Sequence, residues 1–308
     1  MSLSSLSSRP LRLCVGLFVR DRDMINRLTI IGVGLIGGSL ARALKRARFC
    51  KEIVGAGRHA AHLREAVDLG VIDRAETDFA AAVQGADIVV LAVPLGAMEA
   101  VLRSIAPHLG ANTVLTDVGS AKAGVVHAAR EVFGSVPTRF VPGHPIAGTE
   151  QSGVAASFAE LFEGRRVILT PLRDTEARAL GLVRAMWERT GAQVSEMDIL
   201  HHDEVLAATS HLPHLLAYTL VESLARLGDR DEIFQYAAGG FRDFTRIASS
   251  DPTMWRDICL GNRDAILAVL SRFSGDLMQV TEAIDAGDGD RLLKIFTRAK
   301  QARDRQIK

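Results

Sequence analysis

Cysteine is scarce in this chain: Cys14, Cys50 and Cys259 are scattered over 308 residues, with neither disulfide pairing arithmetic nor metal-ligand spacing. That argues against a disulfide-stapled scaffold and a cysteine metal centre, and it suits a reducing cytoplasm. Net charge is equally sparse, +1 from 37 basic and 36 acidic side chains. The clustered positive charge that binds nucleic acid or an anionic membrane is therefore not expected. No run approaches the roughly 18 to 20 uncharged apolar residues of a membrane span, and there is no internal repeat or low-complexity segment. The partners left by these exclusions are small molecules, with no nucleic acid, no membrane and no metal.

What is present is an ordinary globular composition, 48% hydrophobic and 24% charged, in a chain long enough for two domains of roughly 100 to 200 residues each. Residues 1–23 differ from the remainder of the chain. Leu11 to Val19 is apolar but short, is interrupted by Arg12, and runs into Arg20-Asp21-Arg22-Asp23 without a small-residue cleavage site, unlike a secretory signal. The segment reads as a disordered leader or an overlong start, without chemistry in either case.

The first strong signal is Arg27 to Ile31, strand-like, followed by Gly32-Val33-Gly34-Leu35-Ile36-Gly37-Gly38-Ser39 and a helical stretch from Leu40 to Arg48. Strand, glycine turn and helix stand in the order a dinucleotide site requires: Gly32 for the turn, Gly34 for close approach to a pyrophosphate, Gly37 for packing helix on strand. Phosphate would sit on the free N–H groups at the helix start, next to Leu35 and Ile36. Further strands at βαβ spacing, Glu52 to Ala56, Asp87 to Val93 and Thr113 to Asp117, predict an α/β fold with a doubly wound, mostly parallel sheet. Ligands bind such sheets at the carboxyl ends of the strands. That places Val93-Pro94 and Ser120 near a ligand, although Ser120 reads equally well as a helix N-cap. Lys122 is either a solvated helix residue or a helper near an anion. Arg166 to Thr170 and Gln193 to Met197 continue the strand pattern, the latter in a position to close the sheet, with Asp174 to Arg189 an amphipathic helix between them.

Between these strands lies Gly143-His144-Pro145-Ile146-Ala147-Gly148-Thr149-Glu150. Proline restrains the residue before it to extended geometry, so His144 is held on a stiff segment, flanked by glycines that permit tight turns or close approach. A solvated loop histidine is the plainer reading; the nucleotide fingerprint upstream favours a catalytic one.

Near Asp198 the pattern changes to long helical periodicity, which sets expected domains of 24–198 and 199–308. Asp203 to Leu227 is helical and contains Ser210-His211-Leu212-Pro213-His214, with a kink expected at Pro213. Ser210 and His214, four apart, would share a face; alternatively they satisfy the kinked backbone. Gly239 to Arg246 puts Arg242 and Arg246 on one face, and arginine forks suit carboxylates. Asp251-Pro252 reads as a helix cap followed by proline at the first helical position. Beyond Arg263, the residues Ile266, Leu267, Leu270, Phe273, Leu277, Val280 and Ile284 form an apolar stripe. It is covered by intrachain core or by a twofold partner, and a homodimer through the helical domain is expected.

From about Arg27 to about Phe273 the chain resembles the prephenate and arogenate (cyclohexadienyl) dehydrogenases of tyrosine biosynthesis. The residues carrying the resemblance are Thr29 to Ser39, Asp117 to Lys122, Gly143 to Glu150, Ser210 to His214 and Gly240 to Ala248. The resemblance implies a Rossmann domain followed by a helical dimerisation domain, with the active site between them. It implies that His144 bonds the ring hydroxyl of the substrate with help from Ser120, that Arg246 binds the ring carboxylate, and that His214 lies near the substrate side chain. Ser210, Thr149 and Glu150 belong to the same substrate-facing motifs. The span leaves room for neither a fused chorismate mutase nor a regulatory domain, which puts feedback by tyrosine in question. Two other readings are a hydroxy-acid dehydrogenase of the same two-domain plan and a catalytically silent dinucleotide sensor. The histidine loop and the arginine run favour oxidation of prephenate, with arogenate as a further substrate.

The cofactor expectation is NAD(P), leaning to NADP. An NAD-specific site usually carries an acid about 20 residues past the glycine run to hold the ribose 2′-hydroxyl. Here that place is taken by Gly57, followed by Arg58 and His59, which would accept a 2′-phosphate.

Overall fold

A computed structural model describes residues 24–227 and 232–306; the leader expected over 1–23 lies outside the described residues. The first elements are β1 (Ile25–Ile31), α1 (Leu35–Arg46), β2 (Cys50–Ala56), α2 (Ala60–Asp68), β3 (Arg74–Glu76), α3 (Phe79–Val83), β4 (Ile88–Leu91), α4 (Met98–Ile105), β5 (Val114–Asp117), α5 (Ala123–Phe133) and β6 (Phe140–Val141). All six strands pair in parallel in the order β3-β2-β1-β4-β5-β6. The order reverses between β1 and β4, the crevice where ligands bind in doubly wound sheets.

The sheet is buried on both faces, and its strands are near-continuous apolar runs for that reason. Leu28, Ile30, Ile88 and Val90 pack with Leu40 and Leu44 of α1. Ile31, Val89 and Leu91, one residue out of phase, pack with Met98 and Leu102 of α4 and with Val125 of α5. Gly32 and Gly37 follow the expected division of labour. Gly32 has φ +99°. A Cβ on Gly37 would lie 2.1 Å from the Gly32 carbonyl oxygen, whereas one on Gly34 would meet nothing within 4 Å. Strand β3 escaped the sequence reading because three residues, Arg-Ala-Glu, carry no hydrophobic pattern.

The chain continues through β7 (Gly143–Pro145), β8 (Arg166–Leu169), α6 (Ala177–Glu188) and β9 (Gln193–Glu196). Here the structure corrects an expectation: β8 and β9 do not close the main sheet but join β7 in a second, three-stranded one. Pro142 separates β6 from β7 and has no N–H to continue the ladder, while its carbonyl accepts from Thr170 N–H at 2.9 Å. Released there, β7 turns to pair antiparallel with β8, His144 opposite Ile168. Helix α6 buries Ala179, Val183, Met186 and Trp187, an i, i+4, i+7, i+8 stripe that seals this sheet onto the α1 face, with Trp187 edge-on to Phe162 at 5.2 Å.

The rest is helical: α7 (Ile199–Leu206), α8 (Leu212–Ala225), α9 (Glu232–Gln235), α10 (Gly239–Thr245), α11 (Pro252–Gly261), α12 (Arg263–Asp285) and α13 (Gly289–Gln306). The single kinked helix expected from Asp203 starts earlier, where the Asp198 carboxylate accepts from Leu200 N–H at 2.9 Å. It breaks earlier too. A widened turn, Ala207–His211, separates α7 from α8, and Pro213 sits in the first turn of α8, where its missing N–H costs nothing. Asp251 caps α11 through Met254 N–H at 2.8 Å. Along α12 the apolar stripe is partly uncovered: Leu267, Leu277 and Ile284 are exposed, as are Leu293 and Phe296 of α13.

Gly37→Ala should test the glycine turn. Its methyl would have to displace the Gly32 backbone, so unfolding free energy should fall by about 1 to 3 kcal/mol, the usual cost of overpacking, in urea titration; Gly34→Ala, with open space around it, should cost less than about 1 kcal/mol by the ordinary scale of unobstructed substitutions while weakening dinucleotide binding.

Candidate active site

The site forms where the carboxyl ends of β4 and β5 face the helical half. Asp117 ends β5 fully buried, and Lys122, also fully buried, forms an ion pair with it. Lys122 Nζ donates in addition to the Gly143 carbonyl at 2.7 Å, while Asp117 accepts from Gly119 N–H at 2.7 Å and Gly143 N–H at 3.2 Å. Lys122 is thus not solvated, and the anion beside it is the Asp117 carboxylate. Desolvation pushes its pKa down, and Asp117 opposes that shift.

Gly143, held at both its N–H and its carbonyl, delivers His144 to a buried position. His144 Nδ1 lies 2.9 Å from His202 Nε2, and His202 Nδ1 lies 2.8 Å from Asp203 Oδ1. Burial, then the neighbouring His202, Lys122 and His211, push the His144 pKa well below its ordinary 6.5, so the ring is neutral at neutral pH.

Asp203 also caps α5: its carboxylate accepts from Lys122 N–H and Ala123 N–H, each at 2.8 Å. That overturns the N-cap reading of Ser120, since α5 starts three residues later with its cap supplied by α7 of the helical half. Ser120 is instead a half-buried residue on the turn between Asp117 and Lys122. Asn262 Nδ2 donates to the Asp203 carbonyl at 2.8 Å and lies 3.1 Å from His211 Nδ1. Burial pushes His211 down to about 4. Asp257 of α11 accepts from Gly96 N–H, just past Val93-Pro94, at 3.0 Å.

His214 stacks on Trp255, ring centroids 3.7 Å apart. Its Nδ1–H donates to the Ser210 carbonyl at 2.9 Å, so the Ser210–His214 pair does serve the interrupted backbone on that side, leaving Nε2 of a half-buried ring for other partners. Burial lowers its pKa. Arg246, in the turn after α10, forms an ion pair with Glu150 of the histidine loop. It therefore reaches that loop through Glu150. Thr149 Oγ1 accepts from Gln151 N–H at 3.2 Å in the same exposed loop. Among the described residues no His, Cys, Asp and Glu cluster could hold a metal ion, and no helix is long and apolar enough to cross a membrane.

A dinucleotide fits the carboxyl end of the neighbouring strand β1. The first turn of α1 has no side-chain cap, so its N–H groups at Leu35 and Ile36 remain for a pyrophosphate, and Gly34 leaves open space in front of them. Arg58 is exposed past the end of β2, and half-buried Val93 and exposed Pro94 follow β4. The sequence reading assigned no function to Asp117, His202, Asp203, Trp255, Asp257 or Asn262. The one available signal was the adjacent His202-Asp203 pair on a helix flank that is otherwise apolar; the rest become neighbours only on folding.

Comparison with known proteins follows the same division. Residues 40–196 match the nucleotide-binding domain of prephenate dehydrogenase and residues 199–298 its dimerisation domain. The cyclohexadienyl dehydrogenase of Zymomonas mobilis is 41% identical over 287 residues, 91% of this chain and 96% of that one. The prephenate dehydrogenase of Bacillus subtilis is 38% identical, over 92% of this chain and 76% of that one. Among solved structures, a prephenate dehydrogenase of A. aeolicus in complex with hydroxyphenyl propionate and NAD+ superposes with a TM-score of 0.84 at 37% identity, covering 91% of this chain and 97% of that one. A Synechocystis arogenate dehydrogenase gives 0.75 at 28% identity, over 91% and 100%.

Buried neutral histidines make acid stability a direct probe of this site. With the His144 and His211 pKa values lowered on folding, the unfolded chain binds more protons below pH 6.5. Stability is then full above about pH 6.5 and falls as pH drops toward about 4. Urea unfolding at pH 7.5, 6 and 5 should show that decline, and His211→Gln should flatten it.

Proposed function

The chain belongs to the prephenate dehydrogenase family, and from that premise we propose that it oxidises prephenate to 4-hydroxyphenylpyruvate and carbon dioxide, with arogenate as a second substrate. The single observation that carries the assignment to this site is a buried, neutral His144 held at the junction of a dinucleotide-type sheet and the helical half. The reaction takes hydride from C4 of a cyclohexadiene as the C1 carboxylate departs, and aromatisation supplies the driving force. A dinucleotide held by its pyrophosphate at the glycine turn would supply the nicotinamide that accepts the hydride.

The residues of this chain do the rest. His144, uncharged, accepts the 4-hydroxyl proton as positive charge develops at C4. Ser120, on the turn after β5, assists at the same hydroxyl. Arg246 binds the ring carboxylate, which would replace Glu150 as the partner of the guanidinium; a fork geometry suits either. His214, immobilised on Trp255, and Ser210 face the side chain, with Thr149 and Glu150 at the mouth. No acid is needed for carbon dioxide to leave. Residues 24–198 and 199–308 act as separate nucleotide-binding and helical domains, and the exposed stripe of α12 supports assembly as a homodimer. A cytoplasmic location fits the scarce cysteines.

For the cofactor, we propose that NADP serves at least as well as NAD. Gly57 places no carboxylate at the end of β2, while Arg58 and His59 can neutralise a 2′-phosphate. The nearby Glu76 is engaged by Arg74 at 3.5 Å and by Asp78 N–H at 3.1 Å. A Cβ on Gly57 would meet nothing closer than Leu63 at 3.6 Å, so an acid is sterically admissible there. Gly57→Asp should shift the ratio of kcat/KM toward NAD, and Arg58→Ala should weaken NADP selectively. Equal loss of both cofactors in Arg58→Ala would reject the assignment.

The reaction is tested by following reduced cofactor with prephenate as substrate. His144→Asn should lower kcat by roughly 10² to 10⁴, the usual contribution of positioned acid–base catalysis, with KM changed much less. In the wild type the acid limb of kcat/KM should lie below pH 6.5, because only the neutral ring is active and its pKa is depressed. A variant that keeps half of wild-type turnover would remove His144 from the mechanism.

A further inference from the structure

The backbone at the start of α5 determines where the proton sits on His144. Lys122 N–H and Ala123 N–H can only donate, and they point at the two oxygens of Asp203, each at 2.8 Å. Both oxygens are therefore acceptors, and the Asp203 pKa is lowered by its bonds to His202 and to these two amides, which outweigh its burial. Oδ1 then requires a donor from His202 Nδ1 at 2.8 Å. Where that is the one proton on the ring, His202 presents a lone pair at Nε2. Facing it at 2.9 Å is His144 Nδ1, which must supply the proton. His144 is left with a bare Nε2.

We infer that His202 and Asp203 are positioning residues that lock His144 in the Nδ1–H tautomer, so that its Nε2 is the atom that receives the substrate proton. The inference rests on the reading of His144 as the base and names the parts of the chain that prepare it. The order is amide, carboxylate, imidazole, imidazole, substrate. It runs from α5 through two consecutive residues of the helical half and back to β7 of the nucleotide-binding half. The base is correctly set only when both halves are docked.

The proton balance is simple. The hydroxyl proton moves to His144 Nε2, and the resulting positive charge is shared through Nδ1–H with His202, whose own Nδ1–H stays on the Asp203 carboxylate. Asp203 remains ionised throughout, orienting and compensating charge without accepting the proton. The groups facing His144 are His202 from α7, Lys122 from the start of α5 and His211 from the widened turn after α7, the three whose charge disfavours a proton on its ring, with Asp117 pairing Lys122.

Two measurements test the inference. The first is nitrogen-15 NMR of imidazole in the full-length wild-type protein near pH 7.5, with signals assigned by single histidine substitutions. It should show His144 and His202 both singly protonated on Nδ1. A proton on His144 Nε2, or a doubly protonated His202, overturns the lock whether or not His144 proves to be the base. The second is kinetic. A glutamine at position 202 can donate through its NH₂ and accept through its oxygen, as His202 does, whereas leucine can do neither. His202→Gln should keep kcat within about tenfold of wild type, and His202→Leu should lose roughly 10² to 10⁴, the range for a mis-set base. KM and cofactor affinity should change less than about threefold in both. Equal kcat in the two variants, or loss confined to KM, overturns it; if His202→Leu does not fold, the wild-type spectrum and the glutamine variant still decide. If His144→Asn is fully active but the spectrum is as expected, the catalytic reading fails and the tautomer assignment stands.

Discussion

A lysine and an aspartate with no exposed surface hold the centre of this molecule. Removing Asp117 and Lys122 from water is costly, and a buried ion pair rarely returns that cost as net stability. The pair is better understood by what it positions. Asp117 ends the β5 ladder and receives Gly119 and Gly143 amides as well as the lysine; Lys122 reaches past it to the Gly143 carbonyl. The residue before His144 is thus bonded on both sides. Gly143 itself has little alternative, since a Cβ there would stand 3.2 Å from the Asp117 carbonyl oxygen and from Leu169.

Around that anchor, the two halves meet through polar contacts more than through a shared apolar core. Asp203 caps α5, Asp257 takes the Gly96 amide, and Arg246 takes Glu150. Close approach makes these short side chains sufficient. A Cβ on Gly124 of α5 would lie 3.3 Å from the Gly261 carbonyl oxygen of α11, and one on Gly96 would lie 2.6 Å from Asp257. Charged groups in this seam keep their partners only while the halves are docked, which couples the protonation state of the site to their relative placement.

Much of the fold was legible because hydrophobic periodicity is a local property. The parallel strands, the glycine turn, the histidine segment before Pro145, the capped start of α11 and the long helix α12 can each be read within a dozen or so residues. The misreadings were where local signals ran out. Gln193 to Met197 looked able to close the main sheet, but the missing N–H of Pro142 moved β7 away to form another. Ser120 had the chemistry of a helix cap, but a carboxylate some 80 residues later took that place. Lys122 was left between a solvated residue, as most lysines are, and a helper near an anion, because nothing nearby in the chain announces that Asp117 will be sealed beneath it.

The sequence by itself therefore determined the fold class, the position of the glycine turn and the family, since these depend on residue type and short spacing. Only the tertiary structure decided what surrounds His144. His202, Asp203, His211 and Asn262 act through hydrogen bonds that exist after the helices pack on one another and on the sheet, at sequence separations of about 50 to 80 residues. Hydrogen bonds require donor and acceptor within about 3 Å and aligned, a condition that one-dimensional spacing cannot express.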